Sequence, residues 1–251
     1  MKVVVISHNQ AKYIPDFERV LYNYEHVYVI DRPSEPYPSG IPAIYNLVGN
    51  GFLAGRMRDI GATCFPDSDI LFLDGDKVPS GNLASLDNMP FECILLGVEN
   101  DPRTHFFDGT THAISLPEDP LEQINGCYSC GILYRKKLIK RFREINEGRI
   151  FHPCFDGTWG DEDSWNGDII NCEHIPIGCT SEVILGGSIG GCKVNGNRVR
   201  DPKEMEMLFK NPEEFFKMNQ DYQKLQQLVL NFTRRCELRR QIYGMYRDEK
   251  L

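Results

Sequence analysis

Ile70-Leu71-Phe72-Leu73-Asp74-Gly75-Asp76 decides how this chain is read. Four apolar residues stand between the polar Asp67-Ser68-Asp69 and the turn-forming Val78-Pro79-Ser80-Gly81, the pattern of a strand covered on both faces. In open α/β sheets, ligands gather at the carboxyl ends of such strands. Asp74 and Asp76 are two positions apart, so on a continuing strand they point the same way and can share a divalent cation. A cation held there can bridge the phosphates of a nucleotide. The plain alternative is a turn, for which Asp and Gly are ordinary residues.

Working outward, the chain alternates strands with helices. Lys2 to Ile6 predicts a first interior strand ending at Ser7-His8-Asn9. Behind Pro15, the residues Ile14, Phe17, Val20, Leu21 and Tyr24 recur at helical spacing. His26 to Ile30 predicts the second strand, closed by Asp31-Arg32-Pro33 and a loop rich in proline and serine that runs to Pro42. Phe52 to Gly61 reads as a helix with Leu53, Met57 and Ile60 on one face, carrying Arg56, Arg58 and Asp59. A short helix from Leu83 to Leu86, a strand from Cys93 to Val98 and a strand ending at Tyr134 follow. Beyond them come a basic helix from Arg135, a helix opening near Trp159-Gly160-Asp161-Glu162-Asp163, and a last short strand from Val183 to Leu185. The polar stretch from Asn100 to Gly126, with His105 and His112, is either a loop over the site or a surface insert.

This order predicts an α/β domain over 1–195, with a mixed, mainly parallel sheet flanked by helices, and a C-terminal helical extension over 196–251. In the extension, Phe215, Met218, Tyr222, Leu225, Val229 and Phe232 form an apolar stripe, expected to pack on the domain or on a second copy as a homodimer. Arg234, Arg235, Arg239, Arg240 and Arg247 make its end basic, a solvated helix end or a face for an anionic acceptor such as nucleic acid.

Bulk properties narrow the function classes. The 251 residues are 41% apolar with a formal net charge of −8, so the overall balance draws the chain neither to nucleic acid nor to anionic lipid. The apolar run at the start is too short for a signal peptide, and no later stretch approaches a membrane span, so a soluble cytoplasmic protein is expected. Nine cysteines favour free thiols over a disulfide framework. Cys127 and Cys130, with Cys172 and His174, come nearest to a zinc pattern, but a second closely spaced pair is missing. No Gly-x-Gly-x-x-Gly follows the first strand, which disfavours nicotinamide-binding and sugar-nucleotidyltransferase readings.

Several of these stretches together resemble the GT-A family of nucleotide-sugar glycosyltransferases, in particular its inverting, galactosyltransferase-like branch. Asp74-Gly75-Asp76 matches the signature acidic pair after a buried strand. Arg58-Asp59-Ile60-Gly61 stands where many members have Ala-Arg-Asn-x-Gly, with Asp59 where Asn is usual. Trp159-Gly160-Asp161-Glu162-Asp163 is similar to the branch's Trp-Gly-Gly-Glu-Asp, and Cys127 to Arg135 to its acceptor-presenting strand and basic helix. The resemblance implies a Rossmann-like GT-A fold and transfer from a nucleoside-diphosphate sugar, a UDP-sugar above all, to a hydroxyl of a glycan or other biomolecule. It implies Mn²⁺ or Mg²⁺ on Asp74 and Asp76, and donor contacts from Ser7, Asp31, Arg58, Asp74 and Gly75. Trp159 and Glu162 would meet the acceptor, and Asp163 would be the catalytic base. Many members add a downstream His to the metal; His174, eleven residues after Asp163, fits that role poorly. The competing readings are a nucleotidyltransferase of similar fold and a non-catalytic binding module.

Overall fold

A computed structural model describes residues 1–47, 53–98, 131–156, 162–186, 193–194, 197–198, 230 and 233–242. Strands β1 (Lys2–Ser7), β2 (His26–Asp31) and β4 (Ile70–Asp74) are the interior strands that the apolar runs predict. They lie in an eight-stranded sheet with β3 (Ala43–Asn46), β5 (Pro79–Gly81), β6 (Cys93–Val98), β7 (Gly131–Tyr134) and β8 (Ile177–Leu185). The order across the sheet is β3-β2-β1-β4-β7-β6-β8-β5. β3, β2, β1 and β4 run parallel, β7 is antiparallel to both of its neighbours, and β6 and β8 are parallel again. A two-residue pair, β9 (Lys193–Val194) with β10 (Asn197–Arg198), stands apart.

Alternation along each strand divides the core into two layers. Val4, Ile6, Val29 and Phe72 face α2 (Ala54–Ala62), α3 (Lys136–Ile145) and α4 (Glu162–Cys172), joining Met57, Phe142, Trp165 and Ile169. Val3, Val5, Ile30 and Leu73 face the other way and meet α1 (Ile14–Leu21) through Ile14, Phe17 and Leu21. Burial on both faces explains the near absence of polar residues within these strands. α2 lies close on β1: a Cβ at Gly61 would stand 2.4 Å from Val4 Cγ1.

The registers place the strand ends that matter side by side. Ile6 is opposite Asp74 and Ser7 opposite Ile30, so Ser7, Asp31 and Asp74 reach one edge of the sheet together. Four elements depart from the expectation. The turn-forming Pro79-Ser80-Gly81 is strand β5, paired antiparallel with β8 at the sheet's edge. β3 forms within the stretch that follows Pro42, and β8 begins at Ile177, six residues before Val183. The short helix after β5 is a 3-10 helix, Leu83–Asn88. Among the described residues no helix is long and apolar enough to cross a membrane. The 100–126 stretch, Cys127, Cys130 and the stripe from Phe215 to Phe232 lie outside the described residues.

Candidate functional site

Asp74 ends β4, and the turn after it is tied back to the sheet, with Gly75 N donating to Ile6 O at 2.7 Å and Lys77 N to Asp74 O at 2.9 Å. A Cβ at Gly75 would stand 2.5 Å from Gln10 Oε1, 2.8 Å from Ser7 Oγ and 2.9 Å from Ile6 O. Only glycine allows the acidic turn to lie this close to β1. A small recess of about 80 Å³ opens there, lined by Ile6, Ser7, His8, Gln10, Met57, Asp74 and Asp76. Both members of the acidic pair therefore reach one cavity, together with Ser7.

Behind the recess lies a buried cation. Arg58, on the inner face of α2 and 2% exposed, donates Nη2 to Asp74 Oδ1 and Nη1 to Glu162 Oε1, each at 2.8 Å. Its guanidinium also stands 5.5 Å from the ring centre of Phe151. Burial opposes the charge of Arg58, but Asp74, Glu162 and Asp163 around it raise its pKa on balance. The sequence reading gave this arginine a donor contact; in the fold its two terminal nitrogens each donate to a carboxylate. It joins the end of β4 to the start of α4, residues 104 apart from Arg58 on one side and 16 on the other.

Glu162 and Asp163 form the first turn of α4, where the helix dipole favours carboxylates, and both are buried. Burial first, and then the charge of Asp163, push Glu162 up to about 7 against the pull of Arg58. Asp74 is raised as well, by burial in the first place, with Arg58 opposing and Asp76 and Asp163 adding to the shift. Lys77, 3% exposed, puts Nζ 3.4 Å from Asp76 Oδ2. Four carboxylates thus gather around two cationic side chains beside the recess. Asp74 and Asp76, two hard oxygen donors on one wall of it, fit a divalent cation. Among the described residues no group of three His, Cys, Asp or Glu side chains forms a metal cage. His174 is exposed and follows the far end of the 11-residue α4, roughly 16 Å along the axis from Glu162.

The β2 side is built from a second network. Asp31, fully buried, accepts from Arg32 Nε and Nη2 at 3.0 and 2.7 Å and from Asn46 Nδ2 at 2.9 Å. His8, half exposed, is held with Nδ1 2.9 Å from Asp31 O and reaches the recess. The loop after β2 folds over β1: Tyr37 Oη lies 2.8 Å from Ser7 Oγ and accepts from Gln10 N at 3.0 Å, and Glu35 accepts from Ala11 N. Asp59, the residue in place of the usual Asn, faces away from this recess. It accepts from Arg149 Nε and from Ile150 N, both at 2.8 Å, and burial, outweighing Arg149, raises it to about 6.

The fold thus gathers Ser7, Asp74, Gly75 and Asp76 at the recess, with Arg58, Glu162 and Asp163 adjoining; Asp31 stands one strand away, and Trp159 lies outside the described residues. Sequence reasoning missed Lys77, His8, Gln10 and Tyr37. The one available signal was Tyr37, an aromatic residue isolated in a polar, proline-rich loop.

No protein-family model matches the sequence, and no curated protein matches it. Among solved structures the chain is similar to GalNAc-T7 with UDP, GalNAc and Mn²⁺, with a TM-score of 0.51 and 13% identity over 85% of this chain and 48% of that one. It is also similar to HddC from Yersinia pseudotuberculosis, with a TM-score of 0.44 and 10% identity over 85% of this chain and 99% of that one. A third is a glucose-1-phosphate thymidylyltransferase described as such for Bacillus anthracis, with a TM-score of 0.43 and 11% identity over 72% and 87% of the two chains. At these identities the likeness is one of fold, carried by the first of the three. This chain spans about half the length of that GalNAc-T7 chain. The architecture is a GT-A-like, Rossmann-like α/β sheet.

Proposed function

We propose that this protein is a metal-dependent, inverting glycosyltransferase that moves a sugar from a nucleoside-diphosphate sugar, UDP-sugars first, to an acceptor hydroxyl. One observation carries the reading: a buried arginine bonded both to Asp74 of the acidic turn and to Glu162 of the α4 first turn, which links the two acidic motifs behind the recess. The GT-A-like fold adds support, as does the UDP, GalNAc and Mn²⁺ seen with GalNAc-T7.

Asp74 and Asp76 would hold Mn²⁺ or Mg²⁺. Such an ion, when bound, supplies positive charge to the departing diphosphate. Ser7 and the backbone at Gly75 shape the floor on which the donor rests, and Asp31 fixes the neighbouring strand end against the nucleoside side. Arg58 touches no ligand in this scheme. It holds the carboxylates of Asp74 and Glu162 in their places while its charge limits their mutual repulsion. Glu162 and Trp159 orient the acceptor. Asp163 takes the proton from the attacking hydroxyl, which then bonds to the anomeric carbon on the face opposite the diphosphate, so the centre inverts.

The test is incubation with a panel of nucleotide sugars and Mn²⁺, with or without chelator, followed by product analysis. Metal-dependent release of nucleoside diphosphate supports the proposal. Release of pyrophosphate from a nucleoside triphosphate and a sugar phosphate would replace it with nucleotidyl transfer. Tight binding of nucleotide sugar without turnover would replace it with a binding module.

A further inference from the structure

The arginines near the C-terminus have no part in the mechanism above, yet three of them are built into the domain. A helix over residues 233–242, here α5, lies against α4. Leu238 and Ile242 join the core layer that holds Trp165 and Ile169. Arg235 donates Nε to Asp168 Oδ2 at 2.7 Å and Nη2 to Asp168 Oδ1 at 2.9 Å, and Arg239 Nε stands 3.6 Å from the same carboxylate. The side chains of Asp168, Arg235 and Arg239 are 1%, 8% and 2% exposed. Arg234 Nη1 donates to the carbonyl of Cys154 at 2.8 Å, in the 3-10 turn Pro153–Phe155. α5 therefore holds the chain on both sides of residues 157–161: Cys154 before them and Asp168 after them.

An apolar contact tolerates rotation of one helix against another, whereas a paired fork on a carboxylate does not. A buried ion pair adds little net stability because desolvation offsets its attraction, so its distinctive contribution here is orientation. Asp168 lies five residues beyond Asp163 in the same helix, and the rotation fixed at Asp168 is the rotation at which Glu162 meets Arg58. We propose that Arg235 is a positioning residue: through Asp168 it sets the rotation of α4 and so aims Glu162 and Asp163. The catalytic part of this inference rests on the glycosyltransferase reading; the mechanical part does not.

Arg235→Met, Arg235→Lys and Arg240→Met, the last on an exposed position of the same helix, are compared in the full chain. Two readouts are taken: amide hydrogen exchange, and donor turnover to water beside donor affinity with Mn²⁺. Arg235→Met is expected to speed exchange of the amides over 163–168 by about tenfold or more while β1 and β4 keep their protection. It should lower kcat by about tenfold with donor Kd within about twofold. Arg235→Lys keeps the charge, loses the fork, and should fold with intermediate effects on both readouts, which decides the matter should the Met variant fail to fold. Arg240→Met should match the wild type. Unchanged α4 protection would overturn the proposal, as would faster exchange throughout the core with donor binding lost in proportion. Should the wild type bind no nucleotide sugar, the glycosyltransferase reading falls, and the exchange pattern alone decides whether Arg235 holds α4.

Discussion

Replacing Arg58 with Met probes the centre of the site, because it keeps much of the packing against Phe151 and removes the cation that Asp74 and Glu162 share. The sign of the pH effect follows from Glu162. Its folded carboxyl is held at about 7, above the ordinary value of 4.5, so the folded state binds the proton more tightly. In the wild type this group therefore withdraws stability as pH rises from 4.5 to about 7, and no further above that. Without Arg58 the carboxyl rises higher still, and in the variant the withdrawal continues past 7. Near pH ~6 Glu162 is protonated in both proteins, and the variant lacks only the hydrogen bonds of Arg58, on the order of 1–3 kcal/mol. Above pH ~7 the gap should widen by about 1.4 kcal/mol per pH unit. Asp74, raised first by burial, moves the gap in the same direction, damped because its side chain is 31% exposed and can turn to water. Urea unfolding of both proteins from about pH 6 to about pH 8, followed by tryptophan fluorescence, measures the gap. A gap that stays constant over this range would refute the reasoning, since Glu162 would then carry its charge without help from Arg58.

Three further outcomes are expected. Gly75→Ala forces a Cβ to within 2.9 Å of the Ile6 carbonyl, a backbone atom that cannot step aside, so it should cost about 1–3 kcal/mol in a thermal melt and weaken donor binding in calorimetry. Asp163→Asn should lower transfer by about 10²–10⁴ with donor affinity near wild type, whereas Asp76→Asn should lose both; equal effects of the two in calorimetry and turnover would erase the distinction between base and metal ligand. Truncation before residue 230 removes Leu238 and Ile242 from the core, each large buried side chain contributing roughly 1.5–3 kcal/mol, and should give a protein that aggregates on expression, which gel filtration detects.

The interior strands were legible because burial on both faces writes itself as an unbroken apolar run, as in Val3-Val4-Val5-Ile6 and Ile70-Leu71-Phe72-Leu73. The acidic turn was legible because its two carboxylates sit next to such a run. What surrounds them was not. Arg58 reads as a donor contact, and its carboxylate partner Glu162, 104 residues later, is invisible until α4 packs against α2. Asp168 and Arg235 are 67 residues apart, each ordinary in an acidic or a basic helix, and only their meeting makes them a buried pair. Asp59 looked like a weakened family position, and its carboxylate is spoken for by Arg149 and the Ile150 amide, 90 and 91 residues away. β3 was hidden because it sits at the sheet's edge, where Tyr45 is exposed and the one buried residue is the polar Asn46, so the apolar signal fades.

The strand order carries a consequence for the newborn chain. β7, made from residues 131–134, is the strand that joins β4 to β6, and without it the sheet is two separate pieces. A ribosome that has delivered everything through β6 has released a four-stranded piece whose open margin is Ile70–Asp74, apolar and unpaired, waiting for a partner that is still more than thirty residues upstream of the exit. Such a margin invites pairing with another chain. The strand that joins the two pieces thus sets the interval during which a chaperone has that margin to protect.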